Sequence, residues 1–220
     1  MAASQQPVTT VTGRMPRSAR RKQLLAAAQE VFVASGYHAA AMDDIATRAG
    51  VSKPVLYQHF PGKLELYLAL LDTAADELVR RLRDAINVTS DNKTRVHNAI
   101  SAYFDFVDGN GPDHQGAFRL VFESDLRNEP AVRERAERTN RLCMQAIADT
   151  IVADTGLSRA EAELLSISLT AVSEVGARYW LQSERAVPKE SAVRLLEALA
   201  WRGISAFPRQ DETDNAFTDS

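Results

Sequence analysis

The sequence predicts an all-α protein of about nine helices. Two observations carry that expectation. Apolar residues recur at three- and four-residue spacing through most of the chain, the period of a buried helical stripe. Glycine, proline and polar caps mark where each run starts and stops, and no segment convinces as a strand. The chain has 220 residues, 45% hydrophobic and 25% charged, an ordinary globular composition for one or two domains with a sizeable core.

Residues 1–15 are polar and without periodicity, as in a disordered arm. A first helix is expected from about Ser18 to Ser35, with Leu24, Leu25, Ala28, Val31 and Phe32 on one face and Gly36 as its cap. In Met42–Lys63 two short helices are expected around a tight turn. Ile45, Ala46 and Ala49 form the inner face of the first, and Gly50 supplies the positive φ at the reversal. Ser52 stands at the N-cap of the second and Pro54 in its first turn, where a missing N–H costs nothing. Val55, Leu56 and His59 or Phe60 face inward, leaving Lys53, Tyr57 and Gln58 outside. Phe60-Pro61-Gly62 then forces a stop. A helix-turn-helix whose second helix is barely two turns is a DNA-reading device in many proteins.

A long helix follows from Lys63 to about Val88, with Leu64, Tyr67, Leu68, Leu71, Leu78, Leu82 and Ile86 as its stripe and no Pro or Gly to break it. Helices are then expected at about Lys93–Asp108, Gln115–Asp125, Pro130–Asp154, from the capping box Ser158-Arg159-Ala160-Glu161 to Gln182, and from Pro188 to Phe207. Gly109-Asn110-Gly111-Pro112 is a loop. The last two helices are apolar over more than half their circumference, so each wants partners on two sides. The acidic end after Phe207 again reads as disordered.

The net charge of −3 hides an asymmetry. Residues 1–63 carry eight Lys and Arg against three Asp and Glu, a balance of +5, which leaves −8 for the rest. A basic head on an acidic body is drawn to phosphates by one end. Cys143 stands alone, which excludes an internal disulfide and fits a reducing cytoplasm; on its helix it is expected to be buried rather than redox-active. No run approaches the roughly eighteen apolar residues of a membrane span, and the N-terminus lacks the apolar core of a secretory signal. No Gly-rich phosphate loop, nucleophile elbow or metal-ligand cluster is present in the sequence, so neither an enzyme nor a cofactor or metal is expected.

From Arg20 to about Leu71 the chain resembles the DNA-binding head of the TetR family of bacterial transcription regulators. Ala28, Phe32, Gly36-Tyr37, Asp44-Ile45-Ala46, Ala49-Gly50-Val51-Ser52, Leu56-Tyr57-Gln58-His59-Phe60 and Lys63-Leu66 carry the resemblance. It implies an arm at 1–15, a DNA-binding domain at 16–63, an effector-binding and dimerisation domain at 64–207 and a tail at 208–220. Tyr37 is similar to the aromatic that packs beneath the head. Arg17 and Arg21 are expected to touch the DNA backbone, and Met42, Lys53, Pro54, Val55, Tyr57 and His59 to face the DNA. Lys53 would donate to guanine or phosphate; Pro54 and Val55 would meet a thymine methyl; Tyr57, His59 and Lys63 would hold phosphates. One departure stands out: Ala39-Ala40-Ala41-Met42 replaces the Thr or Ser that often caps the second helix, a weakening of about 1 kcal/mol.

For the body, the resemblance implies a homodimer on a near-palindromic operator of double-stranded DNA, most simply a repressor released by a small-molecule effector. Tyr103, Phe104, Phe118, Phe122 and Glu123 are candidates to line the effector site. Leu169, Val172, Val175, Gly176, Tyr179, Leu196, Ala200 and Gly203 are candidates for a four-helix dimer interface. The rival reading is a DNA-binding regulator without a small-molecule effector that answers to a protein partner. A close-packed body would favour the rival, and an apolar cavity would count against it.

Overall fold

The computed structural model describes residues 15–109, 126 and 128–203. Over these the chain forms eight helices and no strand: α1 (Arg17–Ala39), α2 (Met42–Arg48), α3 (Lys53–His59), α4 (Lys63–Asn87), α5 (Asn92–Asp108), α6 (Pro130–Thr155), α7 (Arg159–Gln182) and α8 (Lys189–Arg202). The helix expected at Gln115–Asp125 and both chain ends lie outside the described residues. Among the described residues no helix is long and apolar enough to cross a membrane.

The stops fall where local chemistry puts them. Gly36 has φ 73° and kinks α1 before a last turn that runs on to Ala39. Gly109 and Gly156 take left-handed φ of 70° and 71° at the ends of α5 and α6. Ser158 and Glu161 form the reciprocal capping box at the start of α7. The last helix is shorter than its periodicity suggested. Gly203, at φ 71°, ends α8 at Arg202, so this interface candidate is a helix stop rather than a residue on a helix face.

α1 packs on the start of α4 and carries α2, which carries α3; α4 continues into the body against α5 and α6, α7 lies on α6, and α5 and α8 close the bundle. One apolar core runs through both ends along α4, from Leu24, Phe32, Ile45 and Leu56 to Leu82, Phe106 and Trp180. Phe32, Tyr37 and Tyr67 form an aromatic cluster with centroids 5.2–5.8 Å apart, so Tyr37 does pack beneath the head. On α4 the buried stripe includes Leu66 and Leu70, with Leu64 and Leu68 only half-buried.

The turn between α7 and α8 is bolted to the end of α5. Arg185 donates to Asp108 Oδ1 at 3.1 Å and lies 5.3 Å above the Trp180 ring, while Lys189 reaches Asp105 at 2.9 Å. Within this turn Glu184 and Arg185 carry positive φ of 54° and 59°, a conformation that costs a side-chain-bearing residue about 1–2 kcal/mol.

Candidate nucleic-acid interface

The geometry of α2 and α3 follows from a few local contacts. α2 has no side-chain cap, as its alanines require, and Asp43 and Asp44 occupy its first turn, where a carboxylate complements the helix dipole. Gly50 turns the chain at φ 63°. Ser52 sits at the N-cap of α3, but its hydroxyl caps nothing; only its carbonyl accepts, from the Val55 and Leu56 N–H groups at 3.0 and 3.3 Å. Leu56, fully buried, pins α3 from beneath. Gln23 Nε2 on α1 donates to the Ala49 carbonyl at 2.8 Å and staples the turn to the head. Lys53, Pro54 and Tyr57 are thereby left exposed, with Val55 and His59 half-buried. Met42 is partly buried and packs on the core.

Charge on this surface is less uniform than its composition. Arg48 is paired with Glu30, and Lys53 Nζ lies 2.5 Å from Asp43 Oδ2. Lys63, expected to hold a phosphate, has another task. Its ammonium donates to the carbonyls of Tyr37, His38 and Ala40 at 2.8, 3.2 and 2.9 Å and sits 4.5 Å above the Tyr37 ring. An ammonium has three N–H donors, and all three are taken by the carbonyls that end α1.

Positive charge concentrates instead around His59. Burial, then the charges of Arg17, Arg21 and Arg20, push the His59 pKa below its ordinary value of 6.5. Arg21 lies 4.5 Å above the Phe60 ring, and Arg20 donates to Gln23. Among the described residues no carboxylate pairs with Arg17, Arg20 or Arg21. The charges of three arginines act on His59 together, and a surface of that sign favours an anion. Arg20, in the N-terminal basic run but not among the site candidates, joins it.

The body holds a cavity of about 570 Å³. Val96 and Ile100 of α5, Ile147 and Ile151 of α6, Leu165, Leu169 and Val172 of α7, and Leu199 and Trp201 of α8 line it, with Ile86 at the end of α4. Its polar groups are occupied. Ser168, Ser173 and Thr150 donate to carbonyls of their own helices at 2.9–3.1 Å. Arg95 donates to the Ile86 and Thr89 carbonyls at 3.1 and 2.8 Å and pairs with Asp154. The space is apolar in effect as well as in composition.

Two of the expected lining residues are core. Tyr103 and Phe104 are each 1% exposed, and Phe104 packs on Trp180 at 5.4 Å. The Tyr103 phenol lies beside Cys143 and Thr170; burial raises its pKa well above the usual value and pushes the Cys143 thiol up to about 11. A thiol so placed is not a ready nucleophile. Neither aromatic lines the cavity; Phe118, Phe122 and Glu123 lie outside the described residues.

On α7 the inner face is small and polar, with Ala162, Ser166, Thr170, Ser173 and Ala177 buried, whereas Leu164, Ile167, Val175 and Tyr179 stand exposed. On α8, Leu195, Leu199 and Trp201 are exposed. Among the interface candidates, Val175 and Tyr179 face outward and Leu169, Val172, Leu196 and Ala200 are half-buried. Gly176 serves the chain's own packing, since a Cβ there would overlap Leu196 of α8.

Residues 24–70 match the family model described as bacterial regulatory proteins, tetR family. Over 195 residues the chain is 49% identical to the HTH-type transcriptional activator FasR of Mycolicibacterium smegmatis, covering 89% of this chain and 87% of that protein. The crystal structure of a TetR-like transcriptional regulator from Rhodococcus sp. RHA1 matches with TM-score 0.67 at 28% identity, over 87% of this chain and 99% of that one. FadR from Bacillus subtilis, solved in complex with stearoyl-CoA, matches with TM-score 0.66 over 83% of this chain and 98% of that one. At 19% identity that last likeness is one of fold.

Proposed function

This chain belongs to the TetR family of bacterial regulatory proteins, and from that premise we infer a dimeric transcription regulator whose body answers to an apolar small molecule. The observation that carries the effector reading is the cavity of about 570 Å³, within the range of small-molecule sites. It counts against the rival reading of a regulator that answers only to a protein partner. Its hydroxyls are bonded to their own helices, so a ligand gains there by burying hydrocarbon. The fold shared with a regulator solved with stearoyl-CoA makes a long acyl chain the first ligand class to try.

The exposed Leu164, Ile167, Val175 and Tyr179 of α7 and Leu195 of α8, which lie outside the cavity lining, form the face for a second copy, because a contiguous exposed apolar surface marks an association site. Two heads then address two half-sites about 34–36 Å apart or a multiple. Pro54 and Tyr57 meet the groove, with Lys53 beside them, while Arg17, Arg21 and His59 hold phosphate; phosphate contacts fix register and base-edge contacts choose sequence. α4 joins the two functions, with Ile86 in the cavity wall and Lys63 clamped to the end of α1. A ligand changes DNA affinity only by preferring one arrangement of the heads, and a coupling of about 1–3 kcal/mol is usual.

Repression is the simplest expectation from the resemblance alone. The relative at 49% identity is named an activator, which supports the activating sense as a second reading. A footprint on the DNA upstream of the protein's own gene, repeated with acyl-CoAs of increasing length while Trp201 emission is followed, tests the whole. Protection of a near-palindrome that changes with the ligand supports the reading. Protection that no acyl compound alters, with Trp201 unmoved, removes the effector.

A further inference from the structure

Lys53 opens α3, and Asp43 lies in the first turn of α2. Ten residues apart in sequence, their side chains meet at 2.5 Å, and both remain more than half exposed, at 61% and 57%. The pair is therefore on the outer surface of the helix-turn-helix, one turn along α3 from the exposed Tyr57. A carboxylate here needs an explanation, because phosphates repel it. Repulsion between exposed charges persists over a Debye length of about 8–10 Å.

We propose that Asp43 is a specificity-determining residue: it holds Lys53 off the phosphate backbone and presents the two side chains as one donor–acceptor unit to a G·C base pair. This rests on the reading that the α2–α3 face meets DNA. A lysine alone gains from any sequence, since each phosphate it neutralises releases counterions. Joined to Asp43 it has no net charge and adds nothing to that sequence-independent attraction. What remains is directional. One N–H points to Asp43 and two are left, matching the N7 and O6 acceptors of guanine; the second carboxylate oxygen can accept from the N4 amino group of the paired cytosine. An A·T pair would set a thymine methyl against the charged groups. Asp43 also raises the Lys53 pKa through their hydrogen bond, so the ammonium stays charged throughout the working pH range.

The test uses the full-length protein and an Asp43→Asn variant, with Arg21→Ala and Tyr57→Ala as probes of the face itself. Binding to a random-sequence duplex is measured by anisotropy across a salt series, and preferred sites are selected from a randomised duplex pool. Asp43→Asn should steepen the salt slope by about 0.9 and tighten random-DNA binding on the order of tenfold near 0.1 M salt. A G·C position should also drop out of the selected consensus. If slope and consensus are both unchanged while Arg21→Ala or Tyr57→Ala weakens binding, the proposal is overturned and the face stands. If none of the three substitutions alters binding, the face assignment falls and the proposal falls with it.

Discussion

Replacing Lys63 with methionine separates two roles that a basic residue at the head of a helix can have. Methionine keeps the apolar stem and removes the ammonium that joins the carbonyls of Tyr37, His38 and Ala40. Hydrogen bonds to a charged group contribute about 1.5–3 kcal/mol each. Lys63 is half-buried and one of its three bonds is exposed, so water recovers part of the loss. A net cost of about 2–4 kcal/mol follows, including about 0.5–1 kcal/mol for the contact over Tyr37. The assay is hydrogen exchange of the α2 and α3 amides, which report local opening of the head. At 1.4 kcal/mol per decade, exchange should quicken roughly 30- to 700-fold while the salt slope of DNA binding stays as in the parent. Unchanged protection together with a slope shallower by about 0.9 would mean that Lys63 grips a phosphate after all.

Three further outcomes are expected. Val175→Asp should yield monomers in sedimentation, because Val175 is exposed on the outer face of α7; an intact dimer would refute that face, and Gly176 is unsuitable for the test since it packs beneath Leu196. DNA affinity should rise as pH falls from 7.5 towards 6. Burial and then the arginines hold His59 below its ordinary pKa, so the free protein carries it neutral; a phosphate among those charges raises the value, and binding takes up a proton. Titration of affinity against pH should be flatter for His59→Gln, and identical profiles would exclude His59 from the anion site. Glu184→Gly should stabilise the chain by about 0.5–1 kcal/mol, the left-handed cost less the extra chain entropy of glycine; a lower melting temperature would show that the Glu184 side chain makes a contact of greater worth.

The features legible in the sequence were those written locally. Gly50, Gly109 and Gly156 mark turns because a positive φ leaves glycine few rivals, and Ser158 with Glu161 declares a helix start within four residues. The contacts that shape the α2–α3 surface join residues farther apart. Lys53 meets Asp43 across ten positions and Lys63 meets Tyr37 across twenty-six, and no local pattern foretells either. In the body the aromatic residues misled. Tyr103 and Phe104 are large enough to fill the space between helices, so they became core, and the cavity was left to aliphatic residues such as Ile151, Leu169 and Val172. α7 inverted the usual rule for a comparable reason: small buried residues allow it to lie close on α6, which turns its leucines outward.

Nothing interrupts α4 over its 25 residues. At 1.5 Å per residue it is a rod of about 37 Å, reaching from Lys63 at the head to Ile86 in the cavity wall. A tilt of about 5° at the Ile86 end carries the far end about 3 Å, close to the 3.4 Å rise of one base-pair step. On the proposed function, mechanical advantage of this order would let a side-chain-sized adjustment around a ligand become a displacement on the scale by which DNA itself is ruled.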